Sequence, residues 1–168
     1  MSTDLLHGFA INRWPLLPLR LIVGFGFIEH GFAKLARGSD AFAAILQAMG
    51  VPGAHFMAWS TILVEILGGL AVTLGAFVTL ASVRMAAVLF VAMFTVHLPY
   101  GFSSIKLEAV TPAGPHFGPP GYEVSLLYLA CLAALVLGGP GPLTIGAVLR
   151  KRRKVRSSQS RPNFTAAA

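Results

Sequence analysis

The sequence predicts an all-α membrane protein: a four-helix bundle with a short interfacial helix between its first and second spans. Three observations predict it. Of 168 residues, 55% are hydrophobic, and the mean hydropathy is +0.74. Only 11% are charged, where soluble domains carry roughly 25%. The apolar residues gather into four segments, 14–35, 56–78, 80–98 and 122–137, and about 20 apolar residues suffice to cross a bilayer.

The first segment has Pro15 and Pro18 at its start, where a missing backbone N–H leaves nothing unsatisfied. Arg20 interrupts its apolar stretch and no small-residue cleavage site follows, so it reads as a retained membrane helix rather than a signal peptide. Residues 36–55 contain Ser39-Asp40 as an N-cap, then 41–49 with Gly50 as a stop. Phe42, Ile45, Leu46 and Met49 fall on one side of that stretch, which predicts a helix lying on the membrane face. The second and third segments are separated by almost nothing and form a tight antiparallel pair. Residues 99–121 run from Pro99-Tyr100-Gly101 to Gly118-Pro119-Pro120-Gly121 and predict a long irregular loop, the kind often tied to a binding mouth. The fourth segment is short for a full span, and residues 143–149, beyond the Gly138–Pro142 break, extend it along the interface.

Charge sets the expected topology. Seven of the thirteen Lys and Arg lie at Arg150, Lys151, Arg152, Arg153, Lys154, Arg156 and Arg161, and the other six balance the six acids. The chain thus divides into a transmembrane domain, 1–149, and a basic, disordered tail, 150–168. The tail acts as a topology determinant and a ligand for anionic lipid, placing both termini in the cytoplasm and both long loops outside. So short a basic run without a folded basic face argues against nucleic-acid binding. Cys131 is the only cysteine, which excludes an internal disulfide and a CxxC pair. No phosphate loop, dinucleotide fingerprint or nucleophile elbow is present. His30 and His97 lie at similar depth on different spans, but no Cys or Met cluster accompanies them and no metal site is expected. His7, His55 and His116 fall in flanks or loops and are expected to be solvated.

The ionisable residues inside the spans carry the functional question. Glu65 stands alone within 56–78, and a carboxylate there costs on the order of 3 kcal/mol unless it is paired. It lies about nine residues from the outer end of its segment, roughly 13 Å at helical rise. Thr61, Glu65, Gly68, Gly69 and Ala76 make a small and polar stripe, which turns Glu65 towards protein rather than lipid. His30 and Lys34 are four apart and share a face, with Arg20, Gly24, Phe27 and Gly31 on or beside it. Glu65 is therefore expected opposite Lys34 or His30, as a structural ion pair or as a proton-handling or head-group site. His97 ends the third segment and Glu123 opens the fourth on the same outer side. Arg20 and Arg84 occupy the cytoplasmic half, near enough to helix ends to snorkel.

Leu19-Arg20, then His30-Gly31 with Lys34-Leu35, then Glu65 with Gly68-Gly69 and Gly75 resemble the DoxX family of small four-helix membrane proteins. His97, Tyr122-Glu123 and Gly138-Gly139-Pro140-Gly141 extend the resemblance, which covers about residues 15–145. The acidic residue that many members carry just after the final glycine turn is absent, and Thr144-Ile145-Gly146 stands there. Family members include a subunit of a thiosulfate:quinone oxidoreductase and a membrane component associated with oxidative-stress and thiol-redox proteins. The resemblance implies Glu65, His30 and Lys34 as candidate catalytic residues and Arg20, His97 and Glu123 as candidate ligand-binding residues. It implies a redox-linked subunit of the bacterial cytoplasmic (inner) membrane, with a quinone as the ligand and soluble redox proteins as partners. The alternative is a non-enzymatic anchor or assembly factor for such proteins. A four-helix bundle without an inverted repeat is small for transport unless it forms a homo-oligomer.

Overall fold

The computed structural model describes residues 13–147. The basic tail and the end of the 143–149 extension lie outside the described residues. Helix α1 (Leu16–Arg37) starts behind Pro15 and stops at Gly38, whose φ of +93° no helix can continue. Lys34 and Arg37 occupy its last turn, where cations complement the exposed carbonyls. Helix α2 (Ser39–Ala48) follows at once. Ser39 is its first residue and makes no side-chain cap, so the expected Ser39-Asp40 cap is replaced by the Gly38 corner. Ala43 is buried, with Phe42 and Leu46 half-buried, while Ile45 and Met49 are exposed.

Helix α3 (Ala54–Leu74) runs between Gly53 and Gly75, both in the left-handed region. Three residues then turn the chain into α4 (Val78–Ala92). Phe77 holds a φ of +48° in that turn with its ring exposed. The span continues past α4 as a π-helical turn, Met93–His97, and a 3-10 turn, Leu98–Tyr100. The loop that follows is more ordered than its Pro and Gly content predicts. It contains an antiparallel hairpin of β1 (Leu107–Thr111) and β2 (Gly114–Phe117) with an irregularity between Leu107 and Ala109. Helix α5 (Glu123–Gly138) closes the bundle.

Three spans, Leu16–Arg37, Ala54–Leu74 and Val78–Tyr100, are long and apolar enough to cross a membrane, and Glu123–Gly138 is a shorter apolar helix. At 16 residues it reaches about 24 Å. The chain is a multi-pass membrane protein. Side chains such as Ile22, Leu67, Leu127 and Leu137 point outward, as lipid-facing residues do.

The core is built from Val23, Phe27, Val72, Met85, Leu132 and Leu135, drawn from α1, α3, α4 and α5. Closest approach is between α1 and α3. A Cβ on Gly24 would stand 2.7 Å from the Gly69 carbonyl oxygen, and one on Gly69 would stand 2.6 Å from the Gly24 carbonyl oxygen. Only the missing methyls allow the backbones to meet, the use that membrane helices make of small residues. This glycine seam fixes what lies above and below it: an ion pair towards the hairpin end of the bundle, a buried arginine towards the tail end.

Candidate functional site

Gly31, two turns beyond Gly24 on the same face, extends the close approach. A Cβ there would lie 3.2 Å from the Glu65 Cβ and 2.5 Å from the Ile66 Cγ1. The gap lets α3 carry Glu65 against α1, where its residue is only 5% exposed. Glu65 is the twelfth residue of α3, so it sits near the middle of the bundle, about 16 Å along the helix. Lys34 lies one turn past Gly31, and side chains on a helix lean towards its N-terminus. Its ammonium accordingly reaches inward and donates to both carboxylate oxygens, each at 2.5 Å. The Lys34 side chain keeps 26% of its surface, against 6% for Glu65. Phe42 of α2 covers the ammonium, with its ring centroid 5.4 Å from Nζ. Helix α2 therefore roofs the pair, an arrangement that favours the cation electrostatically.

His30 does not join the pair. It is exposed on α1, and its ring meets the edge of Tyr128 of α5 with centroids 6.4 Å apart. Tyr128 also packs edge-on against Phe27 at 5.6 Å, and its hydroxyl fills the space beside Gly26 where a Cβ would be. Sequence reasoning missed Tyr128. The available signal was a ring hydroxyl within an otherwise apolar helix, a group that needs a polar or small neighbour.

The other expected site residues lie elsewhere. Arg20 sits at the opposite end of the bundle and does not snorkel. It is 1% exposed and donates to the carbonyls of Pro140, Pro142 and Leu143 at 2.5, 3.2 and 3.1 Å. Its Nε has no partner among the described residues. Gly75 makes room for it, since a Cβ there would lie 2.7 Å from both Arg20 Nη1 and Thr144 Cγ2. Three backbone carbonyls of the turn after α5 thus surround the cation, and Thr144 stands buried beside them. His97 and Glu123 flank the loop, at the end of the π-helical turn and the start of α5. His97 Nδ1 lies 3.2 Å from the Pro120 carbonyl, and Glu123 accepts from the Ser104 N–H at 3.0 Å. Backbone bonds from Gly121, Tyr122 and Glu123 to Ser103, Gly101 and Phe102 stitch the same region. Both side chains fasten the loop to the mouth of the bundle.

His55 lies 3.6 Å from Asp40 and His116 lies 3.6 Å from Glu108, all of them exposed. No group of three or more His, Cys, Asp and Glu among the described residues could hold a metal ion. Cys131 is a free thiol, half-buried in α5.

No curated protein and no solved structure matches the chain. A family model, DoxX, matches residues 15–98, which is the segment from the start of α1 through the π-helical turn. That stretch holds the glycine seam, the Lys34–Glu65 pair and Arg20, and on this match the chain belongs to the DoxX family.

Proposed function

We propose that the protein is a redox-linked subunit of the bacterial inner membrane that holds a quinone head group or a small anion beside the Lys34–Glu65 pair. One observation supports this reading above the others: a bidentate ion pair inside an apolar bundle with one partner a quarter exposed. An ammonium has three donors, and Glu65 takes two. The third can meet a carbonyl or anionic oxygen entering from the His30 side. His30, one turn earlier and exposed, supplies a second donor. Glu65 orients the ammonium, and with His30 it handles the protons that quinone reduction consumes. Electrons come from a soluble partner docked at the hairpin end, which this reading places outside the membrane, with the tail end in the cytoplasm.

The test is quinone-dependent electron transfer in membranes carrying the wild type, Glu65→Gln or His30→Ala at matched abundance. A loss of at least about tenfold is expected, because a positioned proton-handling group contributes on the order of a hundredfold or more. Wild-type rates in both variants would overturn the proposal.

The hairpin favours a second reading, an anchor or assembly factor for soluble redox proteins. Ile105 and Val110 are 77% and 76% exposed, and every residue of β1 faces outward. Under this reading Val110→Asp or removal of residues 150–168 abolishes partner recovery, while Glu65→Gln lowers abundance and leaves the rate per molecule unchanged.

A further inference from the structure

Where α3 meets α4 the surface of the bundle opens into a groove of about 280 Å³. Leu63, Leu67 and Ala71 line it from α3, Phe77 from the turn, and Leu80 and Arg84 from α4. Gly68 forms part of its floor against Met85, with a would-be Cβ only 3.0 Å from the Met85 side chain. The groove runs along α3 from Leu63 to Ala71, nine residues and about 12 Å of helical rise. Both walls belong to spans apolar enough to cross a membrane, so the groove faces acyl chains.

Arg84 is the one charged group in this lining. It lies six residues into α4, about 9 Å from the helix start, and its side chain is exposed. Among the described residues it has no ion pair or side-chain hydrogen bond, in contrast to Arg20, which three carbonyls enclose. A cation on the lipid side of a span is expensive unless an anion or water meets it. The guanidinium is a planar fork that takes two oxygens of a phosphate at once.

We propose that this groove is a binding site for one anionic phospholipid, with an acyl chain along the α3–α4 walls and its phosphodiester on Arg84. The charge and the apolar walls select the same ligand: the walls need a chain, and the unpaired cation among them needs a phosphate. The groove lies on the α3–α4 face, whereas Glu65 is turned to Gly31 and Lys34 of α1, and the proposal does not depend on the function proposed for that pair.

The experiment is native mass spectrometry of the full chain in detergent, titrated with phosphatidylglycerol or phosphatidylcholine of identical acyl chains. The wild type should retain one phosphatidylglycerol about tenfold more tightly than phosphatidylcholine, the factor expected for one charge-assisted pair. Arg84→Gln should erase the preference, and Arg84→Lys should restore most of it. Leu67→Trp, at a lipid-facing position, should fill the groove and weaken both lipids equally. Equal retention of the two lipids by the wild type would overturn the proposal, as would an undiminished preference in Arg84→Gln, which would assign it to the basic tail. A wild-type dimer that Leu67→Trp converts to a lipid-free monomer would also overturn it, because a second copy of the chain would then cover the groove.

Discussion

Replacing Lys34 by Met should harm the fold more than replacing Glu65 by Gln. The two partners of the pair are unequally buried, at 26% and 6% side-chain exposure. Without Lys34, a carboxylate with a side chain only 6% exposed is left mid-bundle against Gly31 of α1, without the cation that satisfies both its oxygens. Breaking a buried pair in this way costs about 3–5 kcal/mol. Without the Glu65 charge, Lys34 is three residues from the end of α1 and already a quarter exposed. Its flexible stem can carry the ammonium outward, so Glu65→Gln should cost only about 1–2 kcal/mol, the loss of hydrogen bonds to a charged group. The double variant Lys34→Met/Glu65→Leu removes both charges and should fall within about 1 kcal/mol of the wild type, because apolar replacements of a buried pair are often neutral. Thermal unfolding of the four proteins in one detergent, followed by helical circular dichroism, measures this. At roughly 2–4 °C per kcal/mol for a chain of this size, Lys34→Met should melt on the order of 10 °C lower. Equal losses in the two single variants, or a double variant as unstable as Lys34→Met, would refute the argument from burial.

Two further predictions follow from the seam and the tail end. Arg20→Leu should release the carbonyls of Pro140, Pro142 and Leu143, each bond to a charged donor contributing about 1.5–3 kcal/mol; amide exchange across residues 139–147 should rise at least tenfold, and no change there would contradict the three-carbonyl clamp. Gly24→Ala should be far more damaging than Gly50→Ala. A methyl at Gly24 collides with Thr73 Oγ1 and the Gly69 carbonyl, whereas Gly50 has φ +77° and open space around it, so its substitution costs only about 1–2 kcal/mol of left-handed strain. The accumulation of the two variants in membranes should differ accordingly.

Much of this arrangement was legible before any coordinates. Apolar segments of span length, glycines at their ends and the small-residue stripe on the second span identify the helices and their facing sides. A carboxylate on that stripe and a lysine on the opposing helix can only meet inside the bundle, and they do. What stayed hidden depended on non-local partners. The hairpin lies among residues that locally read as loop, because Pro115 and Gly114 disguise a strand whose pairing comes from across a turn. Arg20 looked like a snorkelling residue because its ligands are backbone carbonyls 120 to 123 positions away, and a carbonyl has no signature in sequence. His30 shares a face with Lys34 at helical spacing, yet α5 brings Tyr128 against it and leaves it outside the pair. His97 closes the π-helical turn, and its ring lies against the Pro120 carbonyl of the loop, a partner that helical spacing does not announce.

The reciprocal contact of Gly24 and Gly69 has a mechanical consequence. Two backbones touching carbonyl to Cα cannot slide or roll without collision, so α1 and α3 behave as a single rigid beam. Any rearrangement of the bundle then falls to the remaining members, α4 with its π-helical turn and α5 with its glycine-rich end. The Lys34–Glu65 pair rides on the beam and keeps its geometry.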